Sequence, residues 1–95
     1  MDTEALRRML EADLASGLVP VAVCATAGTT NTGACDDVRA CAALCAEHDV
    51  WLHVDAAYGG AFALTEAGRA VLGPLALADS VVVDPHKGLC LPVAN

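Results

Sequence analysis

Two residues of opposite charge carry the chemistry most open to this chain. Lys87 is its only lysine and follows Pro85 and His86 in "VVVDPHKG". A lysine on a loop is ordinarily a solubilising charge. Behind a rigid proline at the mouth of an apolar strand, partly desolvated and near another cation, the neutral amine is favoured and can attack a carbonyl carbon to give a Schiff base. Asp55 ends the apolar run of "WLHVDAAYGG", residues 51–60. It is either a turn residue closing a strand or a carboxylate set at a sheet edge to meet a cationic ring nitrogen.

The elements decide whether the two can meet. Residues 3–16, "TEALRRMLEADLAS", place Leu6, Met9, Leu10, Asp13 and Leu14 near one stripe, which predicts a docked helix stopping at Gly17. "VPVAVCAT", 19–26, reads as a strand, followed by the turn formers "AGTTNTGA". Residues 36–48 read as a helix with Val38, Cys41, Ala42 and Cys45 on one side and Asp36 capping its first turn. "VWLHV", 50–54, is a second strand whose Trp51, Leu52 and Val54 point to both faces, as in sheets covered by helices on both sides. A short helix over 65–73 precedes a third strand, "SVVVD", 80–84. Strands alternating with helices predict an α/β fold with a parallel sheet and right-handed crossovers. In such sheets ligands bind beyond the carboxyl ends of the strands, where Thr29, Thr30, Asp55, His86 and Lys87 fall.

An amine for an aldehyde and a carboxylate for a pyridine nitrogen are what pyridoxal phosphate requires of a protein. The carboxylate favours the protonated ring, which can then accept electrons; the amine anchors it. His53 shares the Asp55 face by the period of two and is either its orienting partner or a hydrogen-bonded core histidine. His86 lies on the rim beside Lys87. Ala56 and Ala57 are small where a flat ring would approach closely, Thr29 and Thr30 offer hydroxyls, and Gly59 and Gly60 permit a tight return.

Composition narrows the alternatives. The 95 residues are 56% hydrophobic and 18% charged, a balance closer to the interior part of a larger fold than to a self-sufficient small protein. A net charge of −7 without a basic run argues against nucleic acid. No apolar run approaches the roughly 18 residues of a membrane span. The five cysteines are odd in number with no secretion signal ahead of them, so free thiols in a reducing, cytoplasmic setting are expected. Cys41 and Cys45 share a helix face but no second pair follows, so no metal site is expected. "AGTTNTG" lacks the pattern of a nucleotide-binding loop, and no serine sits in a nucleophile elbow.

"ATAGTTNTGA", "WLHVDAAYGGAF" and "ADSVVVDPHKG", in this order and spacing, closely resemble the pyridoxal-phosphate-dependent amino-acid decarboxylases that include the aromatic-amino-acid and glutamate enzymes. The resemblance covers residues 19–92. It implies a central fragment of the large domain of an aspartate-aminotransferase-like, fold type I enzyme, a partial three-layer arrangement of three mainly parallel strands and covering helices. It further implies an amino-acid substrate, carboxy-lyase chemistry and a homodimer. Lys87 would be the Schiff-base lysine, Asp55 the partner of the pyridine nitrogen, Ala57 a residue against the ring, Thr30 a neighbour of the cofactor, and His86 a contact near its phosphate or the catalytic centre. Two positions depart from the aromatic-amino-acid members: Gly88 replaces an aromatic residue and Asp84 an asparagine. Family enzymes are several hundred residues long, so the segments supplying most phosphate contacts, the ring-stacking side chain and the lid are expected outside these 95 residues, and the isolated chain is expected to be inactive.

Two other readings remain. One is a different reaction on the same scaffold, such as cysteine desulfuration or carbon–carbon lysis; the desulfurases usually carry glutamine where Tyr58 stands. The other is a noncatalytic remnant that associates with a larger subunit and has no use for Lys87.

Overall fold

The computed structural model describes residues 1–93. Three strands, β1 (Ala22–Thr26), β2 (Trp51–Asp55) and β3 (Ser80–Val82), form one parallel sheet in the order β1-β2-β3. The register puts Thr26, Asp55 and Val82 in one row across its carboxyl edge. Helices α1 (Thr3–Ala15), α2 (Val38–His48) and α3 (Glu66–Leu72) lie between or before the strands, and a single turn, α4 (Pro85–Gly88), follows β3. Short 3₁₀ segments, Gly60–Leu64 and Gly73–Leu77, flank α3.

The ends of the elements have local causes. β1 begins at Ala22, later than the predicted 19, because Pro20 has no N–H for a ladder; Val19 and Val21 are left about four-fifths exposed. β2 is shifted one residue, to 51–55, so that Asp55 belongs to the ladder rather than to the loop after it. β3 stops at Val82 instead of 84: the Asp84 N–H donates to Ala57 O at 3.1 Å, outside the ladder, and Pro85 then opens α4. Lys87 accordingly sits on a helical turn, not on an open loop.

Capping decides the helix boundaries. Asp2 accepts from the Glu4 and Ala5 N–H groups at the start of α1, which ends at Ala15 with Ser16 as its C-cap. Asp37, not Asp36, caps α2 by accepting from Ala40 N–H at 2.9 Å, so the helix starts at Val38 rather than 36. Asp36 instead accepts from the Thr26 N–H at 2.8 Å and ties the loop back to the end of β1. Asp49, left-handed at φ 55°, closes α2, and the Val50 N–H bonds back to Cys45 O at 2.9 Å. Thr65 caps α3 through Gly68 N–H.

The core lies on one face of the sheet. Val23, Ala25, Leu52 and Val54 pack with Val38, Cys41 and Cys45 of α2, Leu10 of α1 and Leu72 of α3. Val54 and Ala25 are fully excluded from solvent. The opposite face, with Ala22, Cys24, Trp51 and Asp55, is solvent-exposed, so the described residues supply the sheet and one helical layer, two of the three layers of the complete arrangement. Trp51 therefore does not point under a helix, as the sequence reading had it; it is 53% exposed. The α1 stripe is narrower than predicted as well: Leu10 is buried and Leu6 partly so, while Met9 and Leu14 face solvent. Cys41 and Cys45 are core residues whose thiols burial pushes up in pKa. Among the described residues no three or more His, Cys, Asp or Glu side chains cluster as a metal site, and no helix is long and apolar enough to cross a membrane.

Candidate active site

Parallel strands bring the three loops that follow them to one edge of the sheet. There a cleft of about 220 Å³ is lined by Thr26 and Thr30 from β1 and its loop, Asp55, Ala57 and Tyr58 from β2 and its loop, and Lys87 from α4. Larger hollows exist, including one of about 380 Å³ at the opposite end of β2. That hollow holds no amine, and size alone does not make it the site.

Asp55 is the last residue of β2, on the uncovered face. Ala57 N–H donates to its Oδ1 at 3.0 Å, which fixes the carboxylate, while Oδ2 accepts no hydrogen bond among the described residues. Ala57 uses its other main-chain group as well. Its C=O accepts from the Asp84 N–H at 3.1 Å, and Asp84 Oδ2 stands 2.5 Å from Lys87 Nζ. One peptide-linked residue thus joins the anionic and cationic sides of the cleft. Lys87, in this geometry, has an anion beside it rather than the cation the sequence reading placed there. The Lys87 ammonium holds the Asp84 carboxyl below its ordinary range, and His86 adds a smaller effect of the same sign.

The loops after β1 and β2 touch through glycine. Gly28, at φ 89°, lies so close to Gly59 that a Cβ on it would fall 2.6 Å from Gly59 Cα, and a Cβ on Gly59 would fall 2.3 Å from Ala27 O. Only residues without Cβ permit this crossing. Gly88 is similarly enclosed: a Cβ there would meet Ala61 Cβ at 2.6 Å, so the position that departs from the aromatic-amino-acid pattern is one where this packing has no room for a ring. The glycine contact is a long-range backbone approach, and "AYGG" reads locally as an ordinary turn.

Of the predicted site residues, Asp55, Lys87, Ala57 and Thr30 line the one cleft, and His86, exposed on α4 beside Lys87, does not. Thr29 also reaches the cleft, but its hydroxyl is engaged with Thr32 Oγ1 at 2.8 Å and with Ala34 N–H at 3.1 Å, closing the loop on itself. Thr30 keeps its hydroxyl free of such bonds among the described residues. His53 shares the Asp55 face, yet its Nδ1 pairs with Ser80 Oγ at 2.8 Å, and that same oxygen accepts from Trp51 Nε1–H at 2.9 Å. It does not orient the Asp55 carboxylate directly. Asp84, in the sequence a departure from the family pattern, is the neighbour in contact with Lys87; its signal is a spacing of three, one helical turn.

Comparison with known proteins gives the family of the chain. The family described as "Pyridoxal-dependent decarboxylase conserved domain" matches residues 1–94. The chain is 44% identical over 92 residues to an aromatic-L-amino-acid decarboxylase of Bacillus atrophaeus, covering 97% of this chain and 19% of that protein. It is 46% identical over 87 residues to human cysteine sulfinic acid decarboxylase, covering 92% and 18%. Among solved structures, mouse CSAD in apo form superposes with a TM-score of 0.92 at 43% identity, over 98% of this chain and 20% of that one. Catharanthus roseus tryptophan decarboxylase in complex with L-tryptophan superposes at 0.85 and 40% identity, over 92% and 19%. The chain therefore spans about a fifth of the length of these relatives, and its three parallel strands and flanking helices are a fragment of the large domain of a fold type I enzyme. Over almost its whole length, this chain belongs to the pyridoxal-phosphate-dependent decarboxylase family.

Proposed function

We propose that these residues form part of the cofactor site of an enzyme that decarboxylates an L-amino acid to an amine and carbon dioxide. The observation that carries the reading is the convergence of Asp55, from the end of β2, and Lys87, from α4, on one cleft. The donor set fits pyridoxal phosphate. Asp55, with one carboxylate oxygen free of hydrogen bonds among the described residues, lines a cleft with one amine, a small Ala57 side chain and an unengaged Thr30 hydroxyl. When bound, the cofactor supplies an electron sink for the negative charge left at the substrate carbon by departing carbon dioxide.

Each residue then has a physical task. Lys87 Nζ is the amine that would hold the cofactor's aldehyde carbon, and it is the group in the cleft able to carry a proton on a movable arm. Asp55 Oδ2 would accept the ring N–H and keep the proton there, an opposite charge favouring the cationic form. Ala57 N–H keeps Asp55 from rotating, since Oδ1 is already bonded. Ala57 would let the flat ring approach, Thr30 would donate its hydroxyl at the cleft wall, and His86 would serve the rim near Lys87. The cleft is open, with the Lys87 side chain 41% exposed, so the 95-residue chain by itself would hold the cofactor weakly and turn over poorly. A cytoplasmic setting and a homodimer are inferred from the sequence and the family resemblance.

Product analysis of the full-length protein with a panel of amino acids tests this. The expected result is one amine and one carbon dioxide per amino acid consumed. Release of sulfur or of a carbon–carbon cleavage product without carbon dioxide would replace the reading with desulfuration or lysis.

A further inference from the structure

The ion pair between Asp84 and Lys87 spans one turn of the chain at α4. Asp84 N–H is held by Ala57 O, and Asp84 O accepts from Lys87 N–H at 3.1 Å, so the two backbones are fixed one turn apart and their side chains start within reach of each other. Its Oδ2 lies 2.5 Å from Lys87 Nζ, with the two side chains 29% and 41% exposed. The other ionisable groups around Lys87 are Asp55 at the end of β2 and Tyr58 on its loop, which line the same cleft, His86 beside it on α4, and Cys90, whose N–H bonds Lys87 O at 3.2 Å; Thr26 and Thr30 face it from the β1 side and are neutral. Asp84 is the carboxylate that actually touches the amine.

We propose that Asp84 is the resting counter-ion of Lys87, so that an aldehyde entering the cleft must displace a carboxylate before it reaches Nζ. This rests on the cofactor reading of the cleft. Capture of an aldehyde begins with loss of a proton from the ammonium to solvent. The nitrogen lone pair then forms a bond to the carbonyl carbon, and the carbonyl oxygen departs as water, leaving a C=N bond. Asp84, in contact with Nζ, withholds it from the second step. An asparagine at this position keeps the main-chain bonds and the shape but removes the charge.

Labelling of the protein by pyridoxal, with borohydride supplying the hydride that makes the adduct permanent, tests the proposal when the Lys87 peptide is quantified against time. Asp84→Asn is expected to label Lys87 roughly two- to fivefold faster than the parent chain, the range set by a solvent-exposed ion pair. Asp84→Glu is expected to restore slow labelling, and 1 M salt to narrow the gap between the parent and Asp84→Asn, because exposed charges are screened. Pyridoxal carries no phosphate, so relief of repulsion between a carboxylate and a phosphate cannot imitate the effect. Equal or slower labelling of Asp84→Asn, or a gap indifferent to salt, overturns the counter-ion while leaving the cofactor reading in place. Absence of label at Lys87 in every variant overturns the cofactor reading and the counter-ion with it.

Discussion

The two faces of the sheet divide the work of the molecule. Beneath α2, alternate residues of β1 and β2, Val23, Ala25, Leu52 and Val54, are closed off from water. On the other face the intervening residues, Ala22, Cys24, Trp51, His53 and Asp55, stay exposed or half-exposed. β1 and β2 thus each contribute one row to packing and one to the face that ends in the carboxylate. A residue's effect on stability and its effect on chemistry should separate by parity along β2, the even positions governing the first and Asp55 the second.

The largest expected effect on stability comes from the covered row. Leu52→Ala, at a side chain 1% exposed, should destabilise the fold by about 2–5 kcal/mol, whereas Trp51→Ala next to it should cost about 1 kcal/mol or less. Urea unfolding of the two variants measures the contrast; equal losses would erase the distinction between faces. Gly59→Ala should follow, at about 1–3 kcal/mol, because its Cβ would press on Ala27 O and force the two loops apart. The same denaturation measurement, with cofactor absorbance as a second readout, should show both stability and binding reduced.

Asp55→Ala should reverse the pattern. Stability should move by about 0.5 kcal/mol or less, as at an exposed position, while turnover of the full-length protein should fall by orders of magnitude through loss of the carboxylate that keeps the ring protonated. Unchanged turnover would remove Asp55 from the site. The smallest effect is expected far from both faces, where Arg7 of α1 meets Glu47 of α2 at 2.9 Å. The Arg7 bond lowers the Glu47 carboxyl below its ordinary 4.5 in the folded chain, so the unfolded chain binds protons first as pH falls. The pair's contribution should be present above that value and lost as pH drops through the lowered one. A slight fall in the thermal midpoint of the parent chain between pH 6 and pH 3, smaller in Glu47→Gln, would register it.

What was legible in the sequence follows the range of the interactions involved. Apolar runs punctuated by Gly, Pro and Asp made the three strands readable, and their parallel arrangement alone brings Asp55 and Lys87 to one edge. Strand ends were harder because they depend on which N–H has a partner: Pro20 removes one and Ala57 O diverts another from the ladder. With two adjacent aspartates before α2, composition cannot say which one caps and which bonds to Thr26. His53 has the right parity to serve Asp55, but Ser80, brought opposite it by the β2–β3 register, takes its Nδ1. The contact of Gly28 with Gly59 joins loops about thirty residues apart in sequence, beyond the reach of any local pattern.

Ala57 carries one implication for how freely this site can vary. Its links to Asp55 and Asp84 run through N–H and C=O, groups common to every residue but proline. Side-chain drift at position 57 can therefore reshape the floor of the cleft while the wiring between its two charges survives. Proline is the one genetically encoded replacement that severs that wiring, by deleting the donor to Asp55.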